Sequence, residues 1–69
     1  GPEGAPVMEK MMREKLRITE QEYGPHHPKV ADELEALAWF LQTQKRGGEA
    51  QALLQRAQVI RRKTAPTSR

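Results

Sequence analysis

Histidines, carboxylates and hydroxyls are the residues through which this 69-residue chain could do chemistry, so their spacing is considered first. His26 and His27 are adjacent, with Asp32 and Glu33 a few residues on. Neighbouring histidines point in different directions in most backbone conformations. There is no cysteine, and the nearest acids do not stand at a known ligand spacing, so no metal site is expected. Capping and packing at the start of a helix is the role the spacing favours for the histidines. Asp32 and Glu33 read as charges in a first helical turn, where carboxylates complement the helix dipole. They do not read as a general acid and base held apart in a cleft. Thr19, Thr43, Thr64, Thr67 and Ser68 belong to no nucleophile motif, and no glycine loop has a phosphate-binding form. The chain is therefore expected to be non-enzymatic and to need no cofactor.

Charge is the second chemical signal. Residues 1–44 hold five Lys/Arg against eight Asp/Glu, whereas residues 45–69 hold seven Lys/Arg against one Asp/Glu. Arg56, Arg61, Arg62 and Lys63 form a basic patch that could attract acidic proteins, nucleic acid or an anionic membrane. Cations in a last helical turn also complement the dipole, and that simpler reading is preferred. Few aromatics interleave with the cations, so base stacking is not supported and nucleic acid is the weaker partner class.

Glycine and proline divide the chain into the elements that must position these side chains. Gly1–Pro6 reads as a disordered leader. Its Gly1-Pro2 resembles the scar of a tag cleavage, and it lacks the charged and apolar regions of a signal peptide. A first helix is expected from Val7 to Glu22, in a stretch rich in Met, Glu, Lys, Arg and Leu. Tyr23-Gly24-Pro25 stops it, with Gly24 suited to a left-handed cap. A second helix starts at Pro28, since proline suits a first helical position, and ends near Lys45 or Arg46. Val30, Leu34, Leu37, Ala38 and Leu41 make its apolar face. Gly47-Gly48 is read as the turn. A third helix follows from Glu49 to Lys63, with Ala50, Leu53, Leu54, Ala57 and Ile60 on one face. Residues 64–69 read as a disordered basic tail. Nothing alternates with the period of a half-buried strand, and no window is apolar over the roughly 18 residues of a membrane span.

The fold class is thus all-α: three helices, the last two joined by a short turn and hence antiparallel neighbours. Ala38, Ala50 and Ala57 let two backbones approach closely while leucines fill the space around them. Sixty-nine residues make one small domain whose core is marginal without a disulfide, a metal or a partner. The absence of cysteine fits a reducing, cytoplasmic setting.

The spacing of these residues resembles the tetratricopeptide repeat. Leu34, Leu37, Ala38 and Leu41 fall on the core positions of that motif's first helix, and Ala50, Leu54 and Ala57 on those of its second. The lead-in from Gly24 to Ala31, the turn at Gln44 and the run Leu53–Ile60 are similar to kinesin-light-chain-type repeats. The resemblance runs from about Arg17 to Arg61, about one and a half repeats. Met8, Met11, Met12 and Ile18 lie 42 residues before Ala50, Leu53, Leu54 and Ile60, so the first helix takes the place of a preceding repeat's second helix. Where the family favours a turn glycine this chain has Lys45. Where the family tends to carry asparagines, it has Glu35 and Ala36.

The resemblance implies a protein-interaction scaffold. Such hairpins cannot bury their own faces, so they stack and offer a concave surface to a peptide or protein. That surface would be made here by Asp32, Glu35, Trp39, Gln42 and Thr43. Helical geometry agrees, because positions 32, 35, 39 and 42 form a stripe distinct from the leucine face. Trp39 is the anchor expected there, with Asp32 and Glu35 favouring a basic ligand. The alternative is that Trp39 packs on the first helix or on a neighbouring repeat. Phe40 is expected against the first helix, near Met12, Leu16 or Tyr23. The competing functional reading is self-association into a homodimer, in which two chains supply each other's missing neighbours.

Overall fold

Three helices make up the computed structural model, which describes residues 4–65: α1 (Gly4–Tyr23), α2 (Pro28–Thr43) and α3 (Gly47–Thr64). There is no strand among the described residues. α1 begins three residues before Val7, so Gly4, Ala5 and Pro6 belong to the helix and not to a leader. Pro6 is tolerated because the first-turn N–H groups of a helix have no intrahelical acceptor. α3 likewise includes Thr64, whose hydroxyl donates to the Ile60 carbonyl at 2.9 Å. The first three residues of the expected leader and the last four of the expected tail lie outside the described residues.

α1 ends on Gly24, whose φ of +94° suits a residue without a Cβ and whose N–H donates to the Glu20 carbonyl at 2.8 Å. α2 then starts with a histidine cap. His27 Nδ1 accepts the Lys29 N–H at 3.0 Å, and the ring packs on Tyr23 with centroids 4.7 Å apart. Lys29 closes the cluster, its Nζ 4.7 Å from the Tyr23 ring centre. Because Nδ1 accepts, the proton of the neutral imidazole sits on Nε2. Replacing His27 with alanine is expected to cost about 1 kcal/mol, within the usual range for a lost N-cap. His27→Asn should restore most of that loss, and chemical denaturation of the pair checks both.

The turn between α2 and α3 lies one step earlier than glycine content suggests. Gly47 and Gly48 form the first residues of α3, and Gln44-Lys45-Arg46 make the connection. The cause is a Schellman closure. Arg46 N–H donates to the Leu41 carbonyl at 2.9 Å and Lys45 N–H to the Gln42 carbonyl at 3.0 Å. This closure needs a left-handed residue, and Lys45 supplies it at φ 61°. A side chain there is strained, so Lys45→Gly is expected to stabilise the chain by about 0.5–1 kcal/mol after its greater freedom in the unfolded state is counted. The thermal midpoint should rise by about 3–6 °C.

α2 is the central element. It buries Val30, Ala31, Leu34, Leu37, Ala38 and Leu41 between its two neighbours. α3 contributes Ala50, Ala57 and Ile60, α1 contributes Leu16, and Met12, Phe40, Leu53 and Leu54 pack around this single cluster. Ala38, Ala50 and Ala57 are each at most 1% exposed, which allows α2 and α3 the close approach that small residues permit. Leu53 and Leu54 are only half-buried. α1 packs on α2 alone: no α-carbon of α1 lies within 8 Å of one of α3. The result is a compact three-helix all-α bundle with an antiparallel α2/α3 hairpin, in which α2 lies between its neighbours.

α1 and α3 nevertheless communicate through long charged side chains. Arg46, the residue before α3, holds Glu9 of α1 by two hydrogen bonds of 2.6 and 3.1 Å and Glu49 of α3 by two of 2.7 and 2.8 Å. Arg13 adds a bond to Glu9 at 2.9 Å. Further along, Arg56 of α3 pairs with Glu20 of α1. Since ion pairs link the start of α1 to the start of α3, and link the two again about three turns on in each, the two helices run in the same direction and α2 opposes both.

The hydrogen bonds from Arg46, and next from Arg13, hold the Glu9 carboxyl at about 2, below its ordinary 4.5. A carboxylate stabilised in this way contributes to folding above its unfolded pKa and loses that contribution as pH falls towards the folded value. Acidification from about pH 4.5 to 2 should therefore lower the thermal midpoint. In the Glu9→Gln variant that part of the pH profile should be shallower.

Candidate interaction surface

Six exposed residues of α2 form one stripe on its outer side. Asp32, Glu35, Ala36, Trp39, Gln42 and Thr43 are all exposed. Trp39 lies at the centre of this stripe and is 68% exposed, the most of any large apolar residue described. It does not pack on α1. Its neighbour Phe40 does turn that way. It is half-buried beside Ala5, Pro6 and Glu9, at the N-terminal end of α1 and far from Tyr23. One residue of helical rotation thus separates a core aromatic from a fully presented one.

Asp32 and Glu35 are not free carboxylates. Arg61 of α3 reaches over to both, its Nη2 donating to Asp32 Oδ1 at 2.6 Å and to Glu35 Oε1 at 2.8 Å, and its Nε to Glu35 Oε2 at 3.3 Å. The bonds to Glu35, and then to Asp32, raise the guanidinium pKa further above its ordinary value. Two negative charges and one positive charge therefore border Trp39 on this side. Asp32 and Glu33 are also not in the first turn of α2, where a dipole role would place them, because they are its fifth and sixth residues. Their partners are lateral instead: Arg61 for Asp32, and Lys15 of α1 at 3.6 Å for Glu33.

At the other end of the stripe, the Thr43 hydroxyl donates to the Phe40 carbonyl at 2.6 Å and receives a 3.4 Å bond from the Gln44 amide. Thr43 thus helps to finish the helix and is less available to a ligand than its position suggests. The Gln42 side chain makes no hydrogen bond among the described residues, so both its donor and its acceptor remain open. The stripe, read along its length, is a bridged charge cluster, an exposed indole and an open amide.

The basic patch is divided by the fold. Arg56 is paired with Glu20 and Arg61 with Asp32 and Glu35. Among the described residues, only Arg62 and Lys63 of the four lack an acidic partner. They occupy the last turn of α3 with Arg61, where cations complement the dipole. The described residues contain no group of three or more His, Cys, Asp or Glu able to hold a metal ion. Among the described residues, no helix is long and apolar enough to cross a membrane.

Two features were not legible in the sequence. The Arg46 cluster joins residues 37 positions apart; only its local pairs, Glu9–Arg13 and Arg46–Glu49, carried a spacing signal. The second is the outer side of α1, where Val7, Met8, Met11 and Ile18 remain between 42% and 62% exposed. Of the three methionines, only Met12 packs on the core cluster shared with α2. No family model, curated protein or solved structure matches the chain.

Proposed function

We propose that this chain is a non-catalytic protein-interaction module, a tetratricopeptide-like helical scaffold of the kinesin-light-chain type, whose exposed α2 face receives a peptide or protein segment. The observation that carries this reading is Trp39. An indole left largely in water at the centre of a helical stripe retains most of its apolar surface for a partner to bury. Aromatic anchors ringed by polar groups are the usual anatomy of an energetically dominant contact. Ala36, one turn before, leaves room beside the ring for a ligand side chain.

The rim selects the ligand. Arg61 offsets one of the two carboxylates, so the Asp32–Glu35 end keeps a net negative character. A segment with an apolar residue for Trp39, followed by a basic residue, complements that face. A reducing setting such as the cytoplasm belongs to the same reading, since the cysteine-free chain needs no oxidising compartment. Nucleic acid fits less well, because two of the four clustered cations are already bridged within the fold.

Amide chemical-shift titration with a basic and an acidic apolar peptide tests the proposal. Saturable shifts at the Trp39 indole and at the Glu35 and Gln42 amides with the basic peptide are expected. A silent indole with both peptides would refute it.

A further inference from the structure

We infer that the outer face of α1 is a self-association surface, on which a second copy of this chain lays its own α1 antiparallel across a two-fold axis. α1 has two apolar faces. Leu16, Met12 and the buried Thr19 turn towards α2. Met8, Met11, Lys15 and Ile18, at alternating spacings of three and four, form a separate seam with Val7 at its edge. Val7, Met8, Met11 and Ile18 are 58%, 49%, 62% and 42% exposed.

The internal repeat indicates what this seam is built for. Forty-two residues on, its positions are occupied by Ala50, Leu53, Ala57 and Ile60. These are side chains with which α3 packs against the antiparallel α2, Ala50, Ala57 and Ile60 being at most 1% exposed. α1 therefore repeats the gripping face of α3 on a side where no described residue covers it. The outer side of α3, by contrast, carries exposed Gln51, Gln55, Gln58 and Arg62, and Val59, at 38%, is its one exposed large apolar residue among those described.

A second copy suits the seam in register and in charge. With the two-fold axis level with residue 13, Met8 lies opposite Ile18 of the partner subunit, and Met11 opposite Lys15 of the partner subunit. The methylene stem of each lysine covers a methionine, while its ammonium extends towards Glu14 of the partner subunit. Glu14 stands beside the seam and is held in place by Arg17 of its own helix. Lys15 reaches this contact by giving up its long 3.6 Å pairing with Glu33, its side chain being 72% exposed. One helix face with four exposed apolar side chains falls short of the ~800 Å² per partner typical of a stable interface, so the dimer is expected to be weak and reversible.

Sedimentation equilibrium of the full chain from roughly 10 µM to 1 mM decides the matter, in the concentration range that weak interfaces require. The mass is expected to rise from one chain of 7.9 kDa towards two. Met11→Glu places a carboxylate at an exposed position, so helicity should be kept while association is lost. Lys15→Leu removes the charge at the centre of the seam and should tighten association by about tenfold or more. Concentration-dependent methyl shifts are expected at Val7, Met11 and Ile18. A single-chain mass throughout, for both the unaltered chain and Lys15→Leu, would overturn the inference, as would association that survives Met11→Glu. Peptide binding at Trp39 should be unchanged by Met11→Glu, so failure of one proposal is separable from failure of the other.

Discussion

Replacing Leu37 with alanine is expected to lower the thermal midpoint of this chain by roughly 15–30 °C, followed by circular dichroism at 222 nm. Leu37 is fully buried in α2, the helix on which both neighbours pack, and belongs to the one apolar cluster that joins all three helices. Truncating a buried leucine removes its transfer energy and leaves a cavity, together about 2–5 kcal/mol. A chain of this length has about 3–10 kcal/mol of total stability, so the change removes a large share of it. The surroundings have little means of closing the hole. Ala31, Ala38, Ala50 and Ala57 already bring backbones close, and small residues cannot extend into a void. Leu53→Ala is the internal control. Leu53 is half-buried at the edge of the cluster, and its truncation should shift the midpoint by well under half as much. Equal losses at the two positions would show that the core is not organised around α2.

Trp39→Ala is expected to do the opposite, leaving the fold intact while removing partner binding. The indole is 68% exposed and belongs to no part of the core cluster, so the stability change should stay within about 0.5 kcal/mol. If Trp39 is the anchor of the α2 face, truncation costs a bound peptide about 2 kcal/mol or more, a loss of affinity of roughly 30-fold. Fluorescence cannot report on the variant because Trp39 is the only tryptophan, so calorimetry or the Glu35 and Gln42 amide shifts must be used. Unchanged affinity in Trp39→Ala would move the binding surface away from α2. A large loss of stability would mean that the indole is covered in solution.

The second of these predictions depends on a distinction of one residue that periodicity drew only in part, since packing of Trp39 on the first helix stayed open until its 68% exposure decided against it. Trp39 and Phe40 are adjacent and similar in character, yet the stripe at 32, 35, 39 and 42 separated the first from the leucine face and assigned the second to the side of α1. This works because a helix converts spacing into direction at 100° per residue, with little interference from the rest of the fold. The same rule accounts for the buried leucines of α2 and the buried alanines of α2 and α3. Punctuation was read less reliably. Gly24 proved to be the left-handed residue after α1, but Lys45 took that role after α2, and the two glycines expected to form the turn went into α3. A closing hydrogen-bond pattern can impose a positive φ on a residue that does not favour it, when the helices on both sides are held by packing. Composition carries no trace of that.

By itself, the sequence determined that the chain is all-α, where its three helices fall to within a few residues, and which face of α2 is core. These are local properties, set by backbone preference and by the 3.6-residue repeat. Only the tertiary structure decided which charges are available. Arg61 is placed on Asp32 and Glu35, Arg56 on Glu20, and Arg46 between Glu9 and Glu49. The tertiary structure also decided that α1 gives one apolar face to α2 and keeps another exposed. The reason is that an ion pair or a buried face belongs to two segments at once. Their meeting is fixed by how the helices pack in space, a relation that no spacing within either segment encodes.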